Sequence, residues 1–535
     1  MESVSNTFDL VIIGAGINGV GIARDASARG LRVVVLEQDD ICSGVSAWSG
    51  RLAHGGLRYL EYRDFALVRE SLRERELLFH LAPHLVKPLR LLLPLYAHNK
   101  RPAWLIRLGM VVYDVLSFDK KTGGHEVLNR EYTQKRFTGI SPEGLNGATV
   151  FTEGQVEYAE RLCVELAVAA AADGADIRTK ARVEEPVFDN GHVVGVKYRD
   201  LANDELAEVR APVVLNVAGP WIDRIFKRGA PLQKRLNGGT KGSHLIVDPF
   251  PGGPNDVVYY ESKKDGRLVL VIPWMGRYMI GTTDIRFDND PGEARCSVAE
   301  MDYLLGEVNQ LIPQANLTAH DVLFTFSGVR PLPYAPGVVE GKVPRSYVLH
   351  DHSPDMPGLV TVVGGKLTTF RQLAEDAVDD AFKRLGRKAV KCTTNETPLS
   401  GAVFDAAELL SYLLNQGLSE RSAGRLISLF GGRARDVLAE TVNNKELLAV
   451  IHAPSGAIAA ELVFTVGHEF ARTLTDVLAR RLLLAFQPGH ALESVDTIAR
   501  VLGKSMGWNA KQCAAEISEY RMWLSHLAVP GRTTP

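Results

Sequence analysis

FDLVIIGAGINGVGIARDASARGLRVVVLE, Phe8 to Glu37, decides the fold of this 535-residue chain. It reads as a β-branched strand, Phe8 to Ile13, a small-residue helix within Gly14 to Gly30, and a second strand, Leu31 to Glu37, buried on both faces. A strand–helix–strand unit of about 30 residues is the building block of a doubly wound parallel sheet. Its turn, GAGING, places Gly14, Gly16 and Gly19 in the G-x-G-x-x-G spacing. The first glycine permits the tight turn, the second lets a pyrophosphate approach the backbone, and the third lets the helix pack on the strand. Glu37 ends the second strand, where a carboxylate would accept from a ribose hydroxyl. The stretch therefore predicts a dinucleotide site. The motif itself is shared by NAD and FAD sites; no second copy occurs, which disfavours a reductase holding both in two such units.

Around this unit the composition is that of an ordinary globular protein, 46% hydrophobic and 23% charged. A net charge of −2 exerts no global pull on nucleic acid, and no nucleic-acid partner is expected. Cys42, Cys163, Cys296, Cys392 and Cys513 lie far apart with no C-x-x-C, which fits reduced thiols in a cytosolic setting. With seven residues ahead of Phe8, no signal or transit peptide is expected. The most apolar candidate span, AWLIRLGMVVYDVL, is interrupted by Arg107 and Asp114, so no spanning helix is expected either. The histidine pairs His350/His352 and His80/His84 lack a surrounding carboxylate or thiol pattern, and no metal is expected.

Farther along, DFALVRESLRERELLFHLA has helical spacing, and Asn190-Gly191 marks a hairpin between VFD and HVVGVKY. Between Lys241 and Tyr347 the runs SHLIVD, RLVLVIP, YMIGTTD and VLFTFSGV suggest an antiparallel layer. GLVTVVGGKLTTFRQLAEDAVDDAF returns to a strand and helix through Gly364-Gly365. After the linker TTNETPLSG the pattern is helical, including Ala457 to Phe486 with Ser455 as N-cap.

GAGINGVGIARDASARG, SGRLAHGGLRYLE, NVAGPW, KGSHLIV, VIPW with IGTTD, SGVRPL and GGKLTTFRQLA occur in that order. In this the chain resembles the FAD-dependent, quinone-linked glycerol-3-phosphate dehydrogenases of the D-amino-acid-oxidase-like superfamily, from the first strand to about residue 385. The resemblance implies an α/β architecture: a Rossmann-like FAD-binding domain (1–96, 151–240 and 346–392), a helical or cap segment with membrane contact (97–150), an antiparallel-sheet substrate domain (241–345) and an all-helical C-terminal domain (402–535). Three places depart from the family pattern: a Ser-Ser-Lys run appears as Ser49-Gly50-Arg51, Trp48 is bulky, and Phe370 replaces a tyrosine.

By the same resemblance, FAD would be held by Gly14, Gly16, Gly19, Glu37, Ser43, Ser46, Ser49, Arg51, Leu52, His54, Gly55, Val183, Gly219, Trp221, Gly364, Gly365, Lys366, Leu367 and Thr368, with the bare backbone of Gly55-Gly56 against the ring. Arg58, Tyr59, Thr283, Asp284, Arg330, Arg345 and Lys366 would bind glycerol 3-phosphate, arginine being suited to a phosphate by its planar fork. Arg330 and His54 are the catalytic candidates. His54, or alternatively His244, would accept the hydroxyl proton, since an imidazole titrates near neutral pH.

The implied reaction is oxidation of sn-glycerol 3-phosphate to dihydroxyacetone phosphate by hydride transfer to FAD, with electrons passed to quinone. Leu77 to Tyr113 has no acidic residue but holds Lys87, Arg90, Lys100, Arg101 and Arg107 beside apolar runs, with Trp104 and Tyr96 as anchors. That fits peripheral association with the inner face of the cytoplasmic membrane; a homodimer stays open. The alternatives are an oxidase that uses oxygen, an amino-acid oxidase of the same superfamily, and a scaffold with an idle flavin.

Overall fold

The computed structural model describes residues 7–226, 234–338 and 343–532, without the side chains of Arg58 and Tyr62. At its centre lies a six-stranded sheet in the order 348–351, 359–363, 213–216, 10–13, 33–36, 176–178. Its strands run parallel except the edge strand Val348–Asp351. Leu10–Ile13 and Val33–Leu36 are buried at every position, as a parallel strand covered on both faces requires. Between them the helix Ile17–Ala28 packs against the helices Ala159–Ala172 and Phe370–Arg384. Gly14 has φ +107°, and a Cβ on Gly19 would overlap the Gly14 carbonyl oxygen, so the first and third glycines do what their spacing predicts. The expected hairpin joins Ala181–Asp189 to His192–Asp200, with positive φ at both Asn190 and Gly191.

The second layer is a large, mainly antiparallel sheet that forms the roof over the carboxyl ends of the parallel strands. Among the described residues it contains ten strands, including Thr240–Val247, Leu268–Trp274, Arg277–Gly281 and Val322–Arg330. It also contains Val86–Tyr96 and Leu145–Val156, paired over their length, which corrects the expected borders at 96/97 and 150/151. LRLLLPLY is an inner strand of that sheet, pairing parallel with Val257–Glu261 on its other side. Tyr96 is consequently buried, its hydroxyl donating to the Ser141 carbonyl at 2.8 Å, and it is no membrane anchor.

The C-terminal region is helical but differs from the expected long helix. Val450–His452 and Ala457–Ile458 pair as a short antiparallel ribbon, and Ser455 sits in its turn, bonded to His452 Nδ1. The helix runs only from Ala459 to His468, ending before Phe470 with φ +61°. Glu469 there is buried between Arg161 and Arg433, and Asp476 accepts from the amides of Arg472 and Thr473, so side-chain bonds replace the helical ones. The chain resumes as a π-helical turn, Asp476–Arg481.

Candidate active site

The groove at the carboxyl ends of the parallel strands is a cavity of about 430 Å³. Gly14, Gly16 and Glu37 border it on the first βαβ unit and Ser43, Ser46 and Ser49 on the loop that follows; Val183, Gly219, Trp221 and Gly365 to Thr368 border it from later segments. Glu37 is held in place by two amides, Ala15 N–H to Oε2 at 2.8 Å and Asp39 N–H to Oε1 at 2.9 Å. Burial nevertheless pushes its carboxyl up to about 7. Ser46 Oγ accepts from the Ile17 amide at 3.1 Å, fixing the loop against the helix start. Asn18 Oδ1, on the same wall, is buried without a partner, and a Cβ on Gly16 would press to 3.3 Å from Ser46 Oγ.

Beyond the groove lies a second chamber of about 990 Å³. The two share Leu52, His54, Tyr59, Leu270, Thr282, Arg330 and Arg345, so the cations stand at the junction. Arg330 Nη1 donates to Asp284 Oδ1 at 2.9 Å and Nη2 to Thr282 Oγ1 at 3.1 Å; Arg345 reaches Asp284 Oδ2 at 3.5 Å. Burial raises the Asp284 carboxyl, but attraction to Arg330 and Arg345 outweighs it and leaves the group below the usual carboxylate range. Lys366 Nζ donates to Ser71 Oγ at 2.8 Å and lies 4.5 Å from the Tyr59 ring centre. Burial lowers Lys366 to about 8.

His54 lies on both chambers, its amide donating to Thr368 Oγ1 at 3.1 Å. Burial, joined by Lys366 and Arg345, lowers its imidazole to about 4, against the pull of Glu153. His244 borders only the groove, stacked on Phe326, and burial with Arg330 lowers it to about 3. Both are neutral imidazoles near pH 7.

Several expected contacts fall elsewhere. Gly55 does not border either chamber: a Cβ there would overlap Tyr113 Oη and Leu72, and a Cβ on Gly56 would overlap the Tyr59 ring. The glycine pair therefore makes room for protein, and its backbone is not a bare platform for a ring. The Gly55 amide donates to buried Glu153 at 3.1 Å; Glu153 also takes Arg75 at 2.9 Å and the Tyr113 hydroxyl. Arg51 borders the groove, but its guanidinium is buried in the core, donating to both Glu160 oxygens at 2.7 and 2.6 Å and lying over Trp274. Thr283 is buried away from the chambers, donating to Glu300 and accepting from the Ser243 amide; Thr282 is the threonine of IGTTD that faces the junction. Gly364, at φ +87°, packs against Ser346, and Gly19 serves helix packing alone. The Arg58 side chain lies outside the described residues. Glu153 and Thr240, the latter 3.4 Å from Arg330, were missed by sequence reading; neither belongs to a motif. Among the described residues no group of three or more His, Cys, Asp or Glu is placed to hold a metal ion.

The family model described as FAD dependent oxidoreductase matches residues 9–371, and one described as the C-terminal domain of alpha-glycerophosphate oxidase matches 392–513. The chain belongs to the FAD-dependent oxidoreductase family. A glycerol-3-phosphate dehydrogenase from Synechocystis is 42% identical over 99% of this chain and 98% of its own length. A D-erythritol 1-phosphate dehydrogenase from Brucella abortus is 38% identical over 89% of this chain and 94% of its own. The solved glycerol-3-phosphate dehydrogenase from Bacillus halodurans, complexed with FAD, is 28% identical, covers 99% of this chain and 97% of itself, and has a TM-score of 0.81. Within the family, this oxidoreductase therefore groups with the glycerol-3-phosphate dehydrogenases.

The groove fits FAD. Glu37 offers an amide-oriented acceptor for a ribose, the first turn of the Ile17–Ala28 helix faces the groove as a phosphate would require, and the orphaned Asn18 oxygen waits for a donor.

Proposed function

We propose that this oxidoreductase converts sn-glycerol 3-phosphate to dihydroxyacetone phosphate and delivers the electrons to membrane quinone. The observation that carries this reading is the pair of guanidiniums, Arg330 and Arg345, at the junction of the cofactor groove and the outer chamber. A phosphate is a dianion with in-plane acceptor pairs, which a guanidinium fork meets with two bonds. Asp284 holds both forks apart and oriented before substrate arrives. Lys366 adds a cation from the groove side.

FAD bound in the groove would supply the two-electron oxidant for the alcohol carbon. The chain's own residues then have three tasks. Arg330 and Arg345 seat the phosphate; Thr282 and Tyr59 border the space left for the glycerol hydroxyls; and His54, a neutral imidazole bordering both chambers, accepts the proton of the C2 hydroxyl. The Glu153–Gly55 bond fixes the backbone next to His54 and so aims that imidazole.

Membrane association is carried by the helix Ala103–Leu116. Its buried face is Met110 and Tyr113; Trp104, Leu108, Val111 and Val115, on the opposite face, are 65%, 53%, 51% and 65% exposed, continued by Phe118. An apolar stripe with the exposed Arg107 beside it suits the surface of an anionic bilayer at the inner face of the cytoplasmic membrane, whereas Arg101, paired with Glu61 and Glu261, and Lys100 turn to the outer chamber. Among the described residues no helix is long and apolar enough to cross a membrane.

Turnover with glycerol 3-phosphate and a soluble quinone tests the proposal: dihydroxyacetone phosphate and quinol should form in equal amounts without peroxide. Stoichiometric peroxide would assign the oxidase chemistry instead, and faster turnover of a four-carbon polyol phosphate would move the substrate assignment.

A further inference from the structure

The C-terminal region meets the rest of the chain at the loops that border the cofactor groove. Asp40, three residues after the ribose carboxylate Glu37 and three before Ser43, is fully buried. Arg481 grips it with Nη1 to Oδ2 at 2.7 Å and Nη2 to Oδ1 at 2.8 Å, and Arg480 Nε adds a third bond to Oδ2 at 2.5 Å. Both arginines end the π-helical turn Asp476–Arg481, and their guanidiniums converge on the one carboxylate. Asp476 steadies Arg480 from behind at 2.6 Å, and Lys180 spans Asp39 at 2.6 Å and Asp476 at 3.7 Å. Burial disfavours the Asp40 charge, yet attraction to Arg481 and Arg480 holds its carboxyl well below the usual range, so the group is ionised.

A second contact is independent of the first. Trp48, on the loop that carries Ser46 and Ser49 along the groove, stacks on Trp523 at 6.0 Å and His526 at 6.2 Å, both in the last helical segment. Trp48 is thus bulky because it docks the C-terminal region. Among the described residues of the C-terminal region, none borders the groove or the outer chamber.

We propose that the helical C-terminal domain is a brace for the cofactor loops, in which Arg480 and Arg481 are positioning residues for FAD that act through Asp40. Three charge-assisted bonds hold Asp40; the loop running from it to Ser43 is further pinned by the Cys42 amide on the Ala15 carbonyl at 3.0 Å. With Asp40 released, the Glu37 carboxylate and the Ser43 wall lose their common support, and FAD must order them on binding.

The test compares full-length Asp40→Asn with full-length Glu469→Gln. Glu469 is equally buried and also neutralises arginines, Arg161 and Arg433, but its side chain does not touch the loop; its bond to Arg481, Nε to the Glu469 carbonyl at 2.8 Å, is main-chain and survives the substitution. FAD is stripped, and its rebinding is measured by flavin fluorescence quenching together with the melting temperature of the FAD-free chain. The brace predicts FAD binding at least thirtyfold weaker in Asp40→Asn and within threefold of the parent in Glu469→Gln, although both melt earlier. It also predicts faster amide exchange over residues 38–46 in Asp40→Asn while Leu10–Ile13 stays protected. Should Asp40→Asn not accumulate, Arg480→Lys, which keeps the charge, is expected to weaken FAD about fivefold. Parent-like FAD affinity in Asp40→Asn or Arg480→Lys, or equal loss in Glu469→Gln, would overturn the proposal.

Discussion

Arg330→Ala removes the guanidinium that donates to Asp284 at 2.9 Å and to Thr282 at 3.1 Å, at the junction where the phosphate is placed. Each charge-assisted bond to a substrate phosphate contributes about 1.5–3 kcal/mol. Because Nη1 and Nη2 already donate to Asp284, Thr282 and the Thr283 carbonyl, phosphate binding exchanges bonds, and the net gain is that of about one, roughly 1.5–3 kcal/mol of transition-state binding, or about one to two powers of ten in kcat/KM. The measurement is kcat/KM for glycerol 3-phosphate and for unphosphorylated glycerol, with FAD content checked in each preparation. The parent should prefer the phosphorylated substrate strongly, and the variant should lose that preference while its slow reaction with glycerol changes little. Arg330→Lys, a point charge without the fork, should fall between the two. A kcat/KM within threefold of the parent, or equal losses for both substrates, would refute the argument that this guanidinium is the phosphate handle.

Lys366 supplies a pH dependence. Buried, it is lowered to about 8, so it is charged below that pH and neutral above it, and kcat/KM for a phosphate substrate should fall as pH rises through 8. Lys366→Arg, which does not titrate in this range, should move that limb upward; a parent profile flat from pH 7 to 10 would contradict the assignment. Gly19→Ala places a methyl group on the Gly14 carbonyl oxygen, and overpacking of about 3 kcal/mol should lower the melting temperature of the FAD-free chain; a parent-like melting curve would contradict the close packing of that helix on the strand. Leu108→Glu on the exposed face of the Ala103–Leu116 helix should abolish co-sedimentation with anionic vesicles and leave turnover with soluble quinone intact; unchanged sedimentation would remove that face from the membrane reading.

What the sequence made legible was local. The Phe8 to Glu37 unit, its glycines and the Asn190-Gly191 hairpin rely on backbone geometry and burial period, both written within about 30 residues. The position of Arg330 was readable because its motif was whole. Misreadings arose where a partner lies far off in the chain. Arg51 sits in a loop that borders the groove, but Glu160, 109 residues later, takes its charge into the core. Gly55 has the look of a ligand-facing glycine, yet Leu72 and Tyr113 need the space, and a missing side chain does not say which neighbour it accommodates. The second half of Val86–Tyr96, residues 91–96, is apolar and carries no period because both its faces are covered, which makes an inner strand resemble a membrane-facing run. The broken helix after His468 depends on Glu469 meeting Arg161, 308 residues away, a pairing that no window of sequence displays.

The most direct measurement is an anaerobic titration of the FAD-loaded protein with sn-glycerol 3-phosphate, following flavin absorbance. Bleaching in proportion to added substrate, with an equal yield of dihydroxyacetone phosphate, is the expected result. An unchanged spectrum with FAD fully bound would contradict the account.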